Sequence, residues 1–142
     1  MKLVDANVML FAVNADAREH ARAKSWMETA LSSHEPVSFA WIALLAFLRI
    51  ATRPGLFAKP LKLPKAFELT EAWLGTPNAR ILHPGPDHLV ILRGLLEKSG
   101  TSGNLVTDAH LAALAIEHGV ELVSFDRDFS RFDGLRANIL NV

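Results

Sequence analysis

Residues 103–129 read G-N-L-V-T-D-A-H-L-A-A-L-A-I-E-H-G-V-E-L-V-S-F-D-R-D-F, and this stretch restricts the possible folds more than any other. Leu111, Leu114 and Ala115 recur at helical spacing behind Asn104 and Thr107, where the pattern opens. Gly119 stands where a helix can end in a left-handed residue, and His118 suits the last turn before it. Val120, Leu122, Val123 and Phe125 follow as a short run of β-formers. A helix feeding at once into an apolar strand is the repeating unit of α/β folds. Its acids are placed unusually. Asp108 falls in the first helical turn, and Asp126 at the carboxyl end of the strand. In an α/β sheet those two places share one edge, the edge where ligands bind. Asp5, which ends the strand-like Lys2-Leu3-Val4, belongs to that edge too.

Carboxylates gathered in this way repel one another unless a cation joins them. Asp5, Asp108 and Asp126 offer only hard oxygen donors, which suit magnesium, with manganese as a substitute, and not zinc. A metal so held can activate water against a phosphodiester. Asn7 and Thr107 stand beside the acids as supporting polar groups, and Ser124 lies close in sequence to Asp126. Asp128 reads either as a fourth ligand or as a cap for the turn that follows. Aspartates at strand ends and helix starts also serve as plain caps. Three at equivalent places favour the metal site.

The rest of the chain continues the α/β alternation. After Lys2–Val4 comes a polar turn and a short helix through Val8–Phe11, then a helix capped by Asn14 or Asp16 with Ala23, Met27, Ala30 and Leu31 on one face. Ser38 reads as the cap of S-F-A-W-I-A-L-L-A-F-L-R-I-A-T, a helix apolar nearly all round and therefore central. Pro64 opens a helix that Gly75 stops, Ala79–Leu82 is a strand, Asp87 starts a helix through Leu89, Leu92, Leu95 and Leu96, and Ala137–Leu140 is a last strand. The expectation is a single α/β domain over residues 1–142, its sheet mainly parallel and covered on both faces.

Half the residues are apolar, which excludes a disordered chain, and the absence of cysteine excludes thiolate metal sites and cysteine nucleophiles. Asp5 interrupts the amino terminus, so no signal peptide is expected, and no apolar run is long enough to cross a bilayer. A cytoplasmic protein fits both. Net charge is zero, so no global field draws in nucleic acid. Charge is nevertheless uneven: no acid lies between Glu35 and Glu68, while Arg49, Arg53, Lys59, Lys62 and Lys65 do. Arg49, Arg53 and Lys59 are candidate contacts to the phosphates of a nucleic acid. The six histidines form no H-E-x-x-H pattern, and no Walker, dinucleotide or nucleophile-elbow fingerprint is present. A phosphatase using Asp5 as phosphoryl acceptor is disfavoured, because Asn7 stands where the common D-x-D pattern needs an acid.

V-D-A-N-V at the start, F-L-R-I-A-T-R-P in the middle, and G-N-L-V-T-D-A-H-L-A-A-L-A with L-V-S-F-D-R-D-F near the end resemble a PIN domain. More closely, they resemble the VapC toxins of type II toxin–antitoxin pairs. The resemblance implies a three-layer α/β/α domain, magnesium- or manganese-dependent endoribonuclease activity on structured tRNA or ribosomal RNA, a VapB-type antitoxin that blocks the site, and a homodimer. It matches Asp5, Asp108 and Asp126 to family acids, Asp128 to a further acid of some members, and Asn7 and Thr107 to polar neighbours. One position departs from the pattern. Many PIN domains supply a glutamate from the central helix, where this chain reads L-L-A-F-L-R with Ala46. That departure keeps an alternative alongside the toxin: a catalytically degenerate domain retained for binding RNA or antitoxin.

Overall fold

The computed structural model describes all 142 residues. In chain order the elements are β1 (Lys2–Val4), α1 (Ala6–Val13), α2 (His20–Leu31), β2 (Val37–Phe39), α3 (Trp41–Ala51), α4 (Leu63–Leu74), β3 (Ala79–Ile81), α5 (His88–Ser99), α6 (Leu105–His118), β4 (Glu121–Ser124), a 3-10 helix over Arg127–Arg131, and β5 (Ala137–Ile139). The strands form one sheet in the order β3-β2-β1-β4-β5, and every neighbouring pair is parallel. Because helices cover both faces, the central strands are apolar on both sides. Val4 and Val123 enter a core shared with α1, α2, α3 and α4, where Val8, Met27, Leu44 and Phe47 are buried. Leu3 and Leu122 enter the opposite core, with Leu95 of α5 and Leu111 and Leu114 of α6. The architecture is three-layer α/β/α, as the sequence leads one to expect.

The strand order places the site. From β1 the chain builds outward to β2 and β3, then returns to lay β4 on the other side of β1 and β5 beyond it. β1 and β4 thus flank the point where the winding reverses, and a crevice opens at their carboxyl ends. Asp5 follows β1 directly, and Asp126 lies two residues beyond β4.

Three readings of the local sequence need correction. Val37–Phe39 is not the start of a helix capped by Ser38. It is a strand with all three residues buried, paired with β1 on one side and β3 on the other. Ser38 resembles a cap in sequence, but two rows of ladder hydrogen bonds outweigh one cap bond, and α3 begins at Trp41 with no side-chain cap. Neither Asn14 nor Asp16 caps α2, which begins at His20 after Glu19; Asn14 instead ends α1. Nor is α3 enclosed all round, since Trp41, Ile42 and Leu45 are 48%, 37% and 57% exposed.

The stretch from Gly103 follows the sequence reading closely. Asn104 precedes α6, and Gly119 ends it at φ 66°, in the left-handed region.

Candidate active site

A cleft of about 290 Å³ opens at the carboxyl edge of the sheet, lined by Asp5, Asn7, Ala46, Arg49, Asn104, Thr107 and Asp108 among others. Its walls come from three elements that are distant in sequence. β1 ends at Val4, and Asp5 caps α1, with Oδ1 accepting from the Ala6 N–H at 2.7 Å. α6 brings Thr107 and Asp108 in its first turns. α3 contributes Ala43, Ala46, Arg49 and Ile50.

Ser124, buried at the end of β4, ties this edge together. Its hydroxyl donates to Asp5 Oδ2 at 2.7 Å, and it accepts from Asn7 Nδ2 at 3.1 Å and from the Asp126 N–H at 2.9 Å. The Asn7 Oδ1 also accepts from the Phe125 N–H at 3.1 Å, so this amide is committed to tying the start of α1 to the end of β4. Asp126 caps the 3-10 helix, with Oδ1 accepting from the Asp128 N–H at 2.9 Å. The cap is therefore Asp126, and Asp128 sits exposed in the first turn, 3.7 Å from Arg131.

Burial pushes the Asp108 carboxyl up to about 6, and the charges of Asp5, Asp126 and Asp128 add to the rise, with Arg131 opposing it. Burial also raises Asp5, against the stabilising bonds from Ser124 and the Ala6 N–H, and the charge of Asp126 adds to the rise. Arg131 is the one cation whose field lowers Asp108, and sequence reasoning missed it. The available signal was its i,i+3 spacing from Asp128.

These donors suit a hard divalent cation in type and in unrelieved negative charge. As positioned, however, no three His, Asp or Glu side chains are close enough to hold a metal ion together. Of the expected residues, Asp5, Asn7, Thr107, Asp108 and Arg49 share the cleft. Asp126 and Asp128 lie beside it and act through their charge. Arg53 and Lys59 do not line it; they are exposed in the segment after α3.

The sequence pattern of the PIN domain matches residues 2–135. Ribonuclease VapC37 of Mycobacterium tuberculosis is 48% identical over 136 residues, spanning 96% of this chain and 94% of the relative. Ribonuclease VapC33 of the same species is 40% identical over 96% and 95%. Among solved structures, VapBC2 from Rickettsia felis bound to a promoter DNA fragment superposes with a TM-score of 0.71 at 18% identity, covering 97% of each chain. Mycobacterium tuberculosis VapC20, described as a sarcin-ricin loop cleaving toxin, gives 0.68 at 21% identity over 96% and 99%. These two likenesses speak for the fold. The sheet order, the acids at its reversal point and the sequence identities agree that the chain belongs to the PIN domain family, among the VapC ribonucleases.

Proposed function

We infer that this chain is the ribonuclease toxin of a toxin–antitoxin pair, a divalent-cation-dependent endoribonuclease that cuts structured RNA such as tRNA or ribosomal RNA in the cytoplasm. The observation that carries the reading is the gathering of carboxyl groups at the reversal point of the sheet, where burial first, and the charges of Asp5, Asp126 and Asp128 after it, push Asp108 up to about 6. Asp5, Asp108 and Asp126 are the proposed catalytic and metal-holding groups, with Asn7, Thr107 and Asp128 in support. These carboxylates would hold a magnesium or manganese ion, whose chemistry there would be to supply a water acidic enough to attack a phosphodiester. The chain's own residues set the geometry for that chemistry. Ser124 and the Ala6 N–H fix both oxygens of Asp5, and Asn7 holds the β1 and β4 ends together. Arg49 brings positive charge to the cleft for the RNA backbone, while Arg53 and Lys59 serve as outer contacts.

Residues 1–142 act as one domain in this reading, and the active form is a homodimer. A VapB-type antitoxin would block the cleft. A groove of about 200 Å³ between α1, α2 and α4, floored by Met27, Leu69 and Trp73, suits an apolar segment of such a partner. The bare α3 residues Trp41, Ile42 and Leu45 suit a protein contact as well.

The test is incubation of purified, antitoxin-free protein with total bacterial RNA, with and without magnesium or manganese, beside Asp5→Asn. Discrete fragments made only by the parent and only with metal are expected. A specific observation favours a second reading, a degenerate domain that binds RNA or antitoxin. Ala46 lines the cleft where the family pattern offers glutamate, and the remaining acids form no closed ligand group. Absence of cleavage across several RNA sources by folded protein would select that reading.

A further inference from the structure

The polar groups in and beside the cleft divide into those bonded within the chain and those left free. Asp5, Asn7, Ser124 and Asp126 are bonded to one another or to backbone. Arg49, Asn104, Thr107 and Asp108 line the cleft, and their side chains make no hydrogen bond or ion pair within the chain; Arg49, Asn104 and Thr107 are exposed. Of the two that the acid site does not already use, Arg49 and Asn104, Asn104 is the more telling. It occupies the N-cap position of α6, where an asparagine side chain ordinarily accepts from the first-turn N–H groups. Here it makes no such bond. Its backbone, at φ −90° and ψ 10°, departs from the extended cap conformation that would aim the carboxamide at those N–H groups. The carboxamide, a donor and an acceptor together, is left at the cleft, beside the acids. Arg49, one helical turn beyond Ala46, brings a guanidinium that no carboxylate neutralises.

We propose that Asn104 and Arg49 are the substrate-gripping residues of the cleft: Arg49 takes a backbone phosphate, and Asn104 hydrogen-bonds the ribose 2′-hydroxyl of a neighbouring nucleotide. The proposal rests on the reading of the cleft as an RNA site and adds its means of telling RNA from DNA. Water attack on a phosphodiester needs no 2′-hydroxyl, so the acids do not exclude DNA by themselves. A 2′-hydroxyl both donates and accepts, as a carboxamide does, and it is the group that distinguishes the two polymers. A guanidinium matches phosphate oxygens in pairs. Arg53 and Lys59, outside the cleft, have no part in this discrimination.

Metal-free protein in a chelator, titrated with a labelled RNA hairpin and its all-deoxy counterpart of the same sequence, separates the two roles. The parent is expected to prefer RNA. Asn104→Ala is expected to lower RNA affinity by about fivefold, to leave DNA affinity unchanged, and to leave the thermal midpoint unchanged because no cap bond is lost. Asn104→Asp keeps the size of the side chain but sets a carboxylate against the nucleic acid, and is expected to weaken both ligands. Arg49→Met is expected to weaken both equally and to reduce the slope of log affinity against log salt by about one. An unaltered RNA-to-DNA ratio in Asn104→Ala overturns the role of Asn104, and an unaltered salt slope in Arg49→Met overturns that of Arg49. A parent that binds neither hairpin overturns both. A fall in the midpoint of Asn104→Ala, with RNA affinity kept, would mark Asn104 as a cap only. None of these readouts needs catalysis, so loss of the ribonuclease reading and loss of this one are told apart by the metal-dependent cleavage assay.

Discussion

The Ser124 hydroxyl meets Asp5, Asn7 and the Asp126 N–H at 2.7, 3.1 and 2.9 Å in a fully buried position. Ser124→Ala leaves the Asn7 amide and the Asp126 N–H without their acceptor. It is expected to cost about 1–3 kcal/mol. It should also lower cleavage by about tenfold or more, because Asp5 loses one of its two anchors; denaturant unfolding and a rate measurement check the pair. Asp108 carries a prediction about pH. Its folded carboxyl titrates at about 6, above the unfolded value near 3.9. The native state therefore binds the proton more tightly, and the resulting stability is present below the unfolded value and lost as pH rises through 6. Metal-free protein should melt lower at pH 7.5 than at pH 5. Asp108→Asn should flatten that difference and stabilise the protein at pH 7.5 by about 1 kcal/mol, a figure reduced for solvent screening of a partly exposed group. A variant less stable than the parent at pH 7.5 would show that burial and the neighbouring acids together do not penalise the Asp108 charge.

Among the elements, α6 holds its position through its ends as well as its core face. Gly119 closes it at φ 66°, and a Cβ there would meet nothing within 4 Å. Any cost of Gly119→Ala is thus conformational, about 1 kcal/mol, and the midpoint of thermal unfolding should fall without loss of RNA binding. α3 supplies Leu44 and Phe47 to the core below the cleft, both fully buried, with Phe47 edge-on to Trp73 at 5.0 Å. Leu44→Ala is expected to cost about 3 kcal/mol in chemical denaturation, and Leu45→Ala, on the bare face, less than about 0.5. β2 is the element that local sequence hid. Val-Ser-Phe is too short for a period-2 pattern to show, Ser38 resembles a cap, and the apolar run continues into α3. Only pairing with β1 and β3 decides that these residues extend.

The molecule as a whole carries its acids at the reversal point between β1 and β4, a position that strand order alone creates. Magnesium or manganese at millimolar concentration should raise the melting temperature of the parent at pH 7.5, by mass action on the folded state, and raise that of Asp108→Asn less. No shift in the parent would favour the degenerate reading that Ala46 supports. No helix is long and apolar enough to cross a membrane. Sequence by itself determined the α/β class and the ends of α6, and it pointed to three acids near one sheet edge, because caps, helical periodicity and apolar runs are local signals. It also placed Asn7 and Thr107 beside those acids, through their closeness in the chain. The tertiary structure alone decided which polar groups are committed and which are free. Ser124 and Asn7 are taken up by bonds across more than a hundred residues, while Asn104 forgoes its cap bond and Arg49 has no partner. It also separated Arg49, within the cleft, from Arg53 and Lys59 outside it. Such distinctions depend on which strands adjoin and which helix crosses them, and the energies that choose those neighbours act between residues far apart in the chain.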